Sequence, residues 1–153
     1  MSQPARMIEL VLARIVLRDT DRAQQILLQE RDGPRGFPMV IGRAEAEELQ
    51  RIVDNLAPAR PLTHQLALNL VEALGSRILN ADIVDLRDNT FFAQLALASA
   101  PGDPPVLVDA RPSDAIALAL RARAPLRITD LILDQVRTDT SGPDPLPPPT
   151  PPS

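Results

Sequence analysis

Residues 78–98 read ILNADIVDLRDNTFFAQLALA, two apolar runs of strand length joined by the turn chemistry of Arg87-Asp88-Asn89. Runs rich in Leu, Ile, Val and Phe on either side of such a turn predict a β-hairpin over 78–86 and 90–98. Phe91, Ala93, Leu95 and Leu97 fall at every second position and so line one face. A hairpin pairs antiparallel, which sets this chain apart from the doubly wound, all-parallel class.

Outward from it, the same signals recur. Upstream, 8–18 and 23–29 flank Asp19-Thr20-Asp21 and predict a second hairpin. Gly33, Pro34, Gly36 and Pro38 predict a loop before a short strand, 39–41. Gly42 then opens a helix over 43–55, with Glu45, Glu47 and Glu48 in its early turns, where the helix dipole favours anions and solvent keeps them charged. Pro58 and Pro61 break the chain before a second helix. Thr63 is its expected N-cap, leucines recur at 62, 66, 70 and 74, and Gly75 stops it. Downstream of the hairpin, 101–105 is a loop and 106–108 a short buried strand. Ser113 then caps a helix to about 124, whose Ala-Ile-Ala-Leu-Ala-Leu is apolar all round and so covered on both faces. A last strand at 126–128 and a short helix at 130–136 follow. The order predicts one α+β domain over 7–137: a mainly antiparallel or mixed sheet with three to four helices packed on it. Residues 138–153 carry seven prolines and one bulky apolar residue. They predict a disordered, partly polyproline tail.

Composition excludes several classes of function. There are no cysteines, so disulfides, thiolate chemistry and a Cys-based zinc site are excluded. No apolar run approaches the ~20 residues of a membrane span. The N-terminus has no apolar core of a signal peptide, so no membrane partner and a cytoplasmic location are expected. Every basic residue is arginine, and residues 1–137 set sixteen arginines against eighteen acids, a net −2. A protein that grips duplex DNA electrostatically is usually basic. Three phenylalanines with no Tyr or Trp make a poor platform for stacking bases. Contact with nucleic acid is therefore expected to be local and transient, as at an enzyme site.

Two polar stretches carry chemistry. In Arg60-Pro61-Leu62-Thr63-His64, a cap at Thr63 places His64 in the first helical turn. The positive dipole end disfavours a cation there, which leaves a neutral imidazole as base or ligand, with Arg60 in reach of the same spot. In Asp109-Ala110-Arg111-Pro112-Ser113-Asp114, a helix start beside an arginine is a ready anion site. Asp109 and Asp114 are oxygen ligands of the kind Mg²⁺ or Mn²⁺ takes in phosphodiester hydrolysis. Each stretch is equally a capped helix: a half-buried His64 in one, and in the other Ser113 as cap with Arg111 paired to a carboxylate.

Taken in order, the motifs are more specific. Pro38-Met39-Val40-Ile41-Gly42 with Glu45-Ala46, then Arg60 to His64, then Asp88-Asn89-Thr90-Phe91-Phe92-Ala93, then Asp109 through Ala119 closely resemble the bifunctional nuclease domain family over about residues 8–135. The resemblance implies a single-domain α+β fold, hydrolysis of RNA and DNA, and a homodimer or larger homo-oligomer. On that reading Asp109 and Asp114 hold the divalent ion and His64 is general base or ligand. Arg60 and Arg111 neutralise the phosphate, with Thr63 and Ser113 beside them. Two positions depart from the family pattern: Gln65 stands where an Asp is common, and Phe92 where a Tyr is common. The competing reading is a non-catalytic, homo-oligomeric regulatory module whose two helix N-termini bind a small anion or ligand.

Overall fold

In a computed structural model, which describes residues 5–19 and 23–139, the chain folds as two three-stranded antiparallel meanders sharing one sheet. The first is β1 (Met7–Val16), β2 (Gln24–Glu30) and β3 (Arg35–Ile41). The helices α1 (Arg43–Val53) and α2 (Thr63–Ala73) follow. The second meander is β4 (Arg77–Arg87), β5 (Thr90–Ala98) and β6 (Val106–Ala110). It leads into α3 (Pro112–Ala122), β7 (Leu126–Thr129), α4 (Asp130–Val136) and the two-residue β8 (Thr138–Asp139). The strand order is β6-β5-β4-β7-β1-β2-β3-β8, so β7 is the seam between the meanders. The sheet is mixed, as expected: β4 and β7 pair parallel, and every other pair is antiparallel.

The hairpin 78–98 closes as its sequence demands. Arg87 pairs with Thr90 across a two-residue turn. Asp88 and Asn89 both take positive φ, 49° and 59°, a conformation their short polar side chains tolerate and which matches strand twist. Gly75, at φ 77°, ends α2 as expected. The turn expected at Asp19-Thr20-Asp21 lies largely outside the described residues, as does the tail from 140 onward. Thr138 and Asp139 pair with Gly36 and Arg35, so ordered structure runs two residues past the expected boundary at 137.

The sheet is strongly curled. Four strands separate β5 from β3 in the sheet, yet the Phe37 and Phe91 rings lie 5.5 Å apart, tilted by 34°. The enclosed core takes Ala46, Leu49 and Ile52 from α1 and Ala115 through Ala119 from α3. As predicted, α3 is covered all round.

Two expectations need correction. The segment 33–38 is not wholly loop, because β3 begins at Arg35 and buries Gly36 and Phe37. Pro38 is tolerated there because β8 pairs only with Arg35 and Gly36, so the missing N–H faces an unpaired edge. The strand 106–108 is not buried: Val106, Leu107 and Val108 are 63, 59 and 39 % exposed on an edge strand. The leucine stripe of α2 faces away from the core. Leu62, Leu66, Leu70 and Leu74 are all exposed, and Leu68 is the helix's buried residue. No helix among the described residues is long and apolar enough to cross a membrane.

Candidate functional site

The curl brings the two meander-to-helix junctions together. β3 runs through Gly42 into α1, and β6 runs through Arg111 into α3. Arg111 Nη1 reaches Glu45 Oε1 at 3.1 Å, although β3 and β6 stand near opposite ends of the sheet. The start of α2 joins them: His64 Nε2 lies 2.8 Å from Asp114 Oδ1. Arg111 forks onto the same carboxylate, Nε to Oδ2 at 2.8 Å and Nη2 to Oδ1 at 3.0 Å. On its other side, His64 Nδ1 is 3.9 Å from Glu48 Oε1. Glu48 is buried and accepts from Arg51 (Nη2, 2.8 Å) and Arg121 (Nε, 2.9 Å). One chain of charges therefore runs Glu45–Arg111–Asp114–His64–Glu48, ending on two more arginines.

Local geometry holds this chain in place. A side chain at position 42 would collide with the Glu45 carboxylate, so glycine leaves Glu45 room to turn toward Arg111. Pro112 opens α3, where its missing N–H costs no helix bond. Neither expected hydroxyl cap forms. Leu62, not Thr63, is the N-cap of α2, and Arg111, not Ser113, is that of α3, without side-chain hydrogen bonds. Asp114 therefore sits in the third helical position, one turn along from Arg111, where its carboxylate can meet the guanidinium.

The electrostatics follow from partial burial. Burial pushes the Asp114 carboxyl up, but the hydrogen bonds from Arg111 and His64 outweigh it and leave it below the ordinary 3.8. Burial likewise raises Glu48, and Arg121 and Arg51 bring it below the ordinary 4.5. The Arg111 guanidinium is held in its charged form chiefly by Asp114. Arg111 is the exposed member, at 64 %, against 30 % for Asp114 and 18 % for His64. It lines an open cleft of about 910 Å³ together with Glu45, Asp109, Ser113, Phe91 and Asn89. Asp114 and His64 do not line that cleft, so Arg111 stands between them and it.

The bifunctional nuclease domain family matches this chain over residues 26–141, three quarters of its length and every residue of this network. The chain belongs to the bifunctional nuclease domain family. An uncharacterized protein of Mycobacterium tuberculosis is 39% identical over 110 residues, covering 72% of this chain and 64% of that protein. Bifunctional nuclease 2 of Arabidopsis thaliana is 29% identical over 122 residues, 76% of this chain and 37% of that protein. Bifunctional nuclease 1 of Oryza sativa subsp. japonica is 24% identical over 114 residues, 73% of this chain and 34% of that protein. The chain thus spans less than two thirds of these relatives' length.

In this bifunctional nuclease domain, three of the expected site residues meet directly: His64, Asp114 and Arg111. Ser113 is buried at their side and Asp109 lies on the cleft wall at the end of β6. Arg60 and Thr63 are exposed and stay out of the network. Both Asp114 oxygens are engaged by His64 and Arg111, and among the described residues no three His, Cys, Asp or Glu side chains stand ready to hold a metal ion. The Asp109–Asp114 pair is therefore not a preformed cage. The sequence places Glu48 in a solvated helix start, whereas in the fold it is buried. Its signal was available: Glu48 precedes Ile52 by four and adjoins Leu49, inside the apolar stripe of α1. Gln65 also changes meaning. Its Oε1 accepts from Arg121 Nη1 at 3.1 Å and its Nε2 donates to Asn69, so position 65 serves Arg121 and does not touch Asp114.

Proposed function

We propose that this domain hydrolyses phosphodiester bonds in RNA or DNA strands, with Arg111 as the phosphate-binding group and the Asp114–His64 pair as proton acceptor. The observation that carries the reading is the 2.8 Å contact between His64 Nε2 and Asp114 Oδ1 behind an exposed guanidinium. A phosphodiester entering the cleft offers Arg111 a second bidentate partner. As Arg111 turns to it, Asp114 loses the fork that holds its carboxylate and becomes free to take a proton. Water attacks phosphorus, its proton passes to the Asp114–His64 pair, and the departing oxygen is protonated from solvent as the P–O bond breaks. His64 keeps Asp114 oriented, with Glu48 behind it.

A divalent ion, Mg²⁺ or Mn²⁺, is proposed on Asp109 and Asp114. Two carboxylates completed by water and phosphate oxygens are an ordinary set for Mg²⁺, and the ion would neutralise phosphate charge there; with Asp114 holding it, His64 would be the member of the pair that takes the proton. Self-association is also proposed, and the exposed apolar residues of β6 and α2 support it.

The test is cleavage of single-stranded RNA and DNA with and without Mg²⁺ or Mn²⁺, beside Asp114→Asn, His64→Ala and Arg111→Gln purified identically. Asp114→Asn is expected to lower kcat by about 10²–10⁴-fold, and Arg111→Gln to raise KM. Cleavage that survives both Asp114→Asn and His64→Ala belongs to a contaminant. That outcome favours the second reading, a regulatory module that binds an anion at the same arginine, for which the fully satisfied Asp114 carboxylate already speaks.

A further inference from the structure

The charge chain ends, on its far side from the cleft, at a second cavity of about 420 Å³. We propose that this cavity is a binding site for an organic phosphate of nucleotide size, coupled to His64 through Glu48. One wall is basic, formed by Arg51 from the last turn of α1 and by Arg121 and Arg123 from the end of α3. The other is apolar, from the loop between α1 and α2, with Leu56 and Leu62 left 60 and 40 % exposed. Guanidiniums facing apolar surface fit a ligand with a phosphoryl group on an apolar body. The volume lies in the range of small-molecule pockets.

For Arg51 and Arg121 the charge is unbalanced toward an anion. Arg51 and Arg121 share one carboxylate, Glu48. Arg51 gives Glu48 its Nε and Nη2, and its Nη1 bonds to no described residue. The helix dipoles are the competing explanation, since cations suit the C-terminal ends of α1 and α3. They suit a cation at all three positions, since Arg123 is the C-cap of α3, but they do not account for the cavity that the three guanidiniums line. Arg123 takes φ 57°, the left-handed cap position that glycine ordinarily fills. A non-glycine residue there is strained, and this one adds a third guanidinium to the cavity wall.

Coupling follows from shared atoms. Glu48 Oε1 accepts from Arg121 Nε and is the oxygen 3.9 Å from His64 Nδ1. A phosphoryl group that draws Arg121 toward the cavity loosens its hold on Oε1 and leaves that oxygen to the imidazole. Occupancy of this cavity is thereby felt at His64, which stands behind Arg111 and the cleft. Binding does not depend on the nuclease reading. The ligand's source is either a free mononucleotide or the terminal nucleotide of a strand.

His64 is the one histidine in the chain, so imidazole NMR of the tag-free full-length protein reports on it alone. Adenosine monophosphate, adenosine, inorganic phosphate and a trinucleotide are titrated, with calorimetry in parallel. Adenosine monophosphate is expected to bind saturably and shift the His64 signals, with adenosine and phosphate each weaker. Arg51→Gln and Arg123→Asn, the latter keeping a residue that tolerates positive φ, should each weaken binding about tenfold or more. Tighter binding of the trinucleotide assigns the site to a strand end, and weaker binding to a free nucleotide. Three results overturn the proposal: no saturable binding at millimolar ligand, binding that leaves the His64 signals unmoved, or binding lost in Arg111→Gln but kept in both cavity variants. None of these requires cleavage, so loss of the nuclease reading and loss of this one are separately visible.

Discussion

Glu48 is the residue on which the site's geometry turns, because it is a buried carboxylate answering two arginines and an imidazole. Replacing it by glutamine removes the charge and leaves Arg51 and Arg121 without their anion, a change expected to cost about 3 kcal/mol near neutral pH. The pH dependence has a definite sign. Since the folded Glu48 sits below the ordinary 4.5, its contribution is complete above that value and is lost as pH falls through the lower folded one. The stability gap between the native chain and Glu48→Gln should therefore be widest near neutrality and narrow below pH 4.5, read by denaturant unfolding across that range. A gap that stays constant to low pH would mean the carboxylate is not ionised in the fold. Gln65 makes the complementary case. Gln65→Asp gives Arg121 a carboxylate in place of an amide and should add about 0.2–1 kcal/mol of stability. If it instead raises Mn²⁺ affinity while stability stays put, position 65 belongs to an ion site. Sequence named His64, Asp114 and Arg111 because each sits at a helix start, where chemistry leaves a local mark. It passed over Arg121 because what buries that residue is contact between α1 and α3, distant in the chain, whereas Glu48 carries a local mark in the apolar stripe of α1.

At the level of elements, local signals set the strands and their turns, while partners decided burial. The hairpin 78–98 was legible because its turn chemistry and alternation are short-range. The register of β4 against β7 was not, since the two strands meet only after β5, β6 and α3 intervene. One ion pair marks that junction: Asp82 stands opposite Arg127 in register, bonded through two contacts of 2.7 Å. Asp82 is 8 % exposed, and its hydrogen bond is the chief reason the Arg127 guanidinium is held charged. The pair pins the single parallel step between the two meanders. Asp82→Ala is expected to cost about 1–3 kcal/mol, measured by denaturant unfolding, and to raise amide exchange at β4 and β7 more than within either meander. Uniform exchange across the sheet would show that the pair does not act as a seam. The same distinction explains β6, whose apolar run correctly gave its type and wrongly implied cover, and α2, whose leucines are exposed. A stripe of leucines at helical spacing declares a face, not what lies against it.

For the whole molecule, that uncovered surface is the remaining problem. The curl closes the sheet well enough to join Arg111 to Glu45, yet β6 stays an edge with apolar side chains on both faces. An exposed apolar edge of this kind invites another strand, and a second copy supplies one with the identical pattern. Antiparallel pairing of two β6 strands about a two-fold axis near Leu107 would bury Val106, Leu107 and Val108 of both copies at once, because in such an interface each residue appears twice. The expected outcome is a dimer by sedimentation equilibrium. Leu107→Lys places like charges against each other across the axis and removes two buried leucines, which should weaken association about a hundredfold or more. Leu70→Lys, on the outer face of α2, separates the two apolar surfaces: association that survives it but not Leu107→Lys assigns the contact to β6. Far-ultraviolet circular dichroism must stay native in both variants, since neither side chain contributes to the core. A native chain that remains monomeric at high concentration would end the proposal, and β6 would then be an exposed edge in its own right.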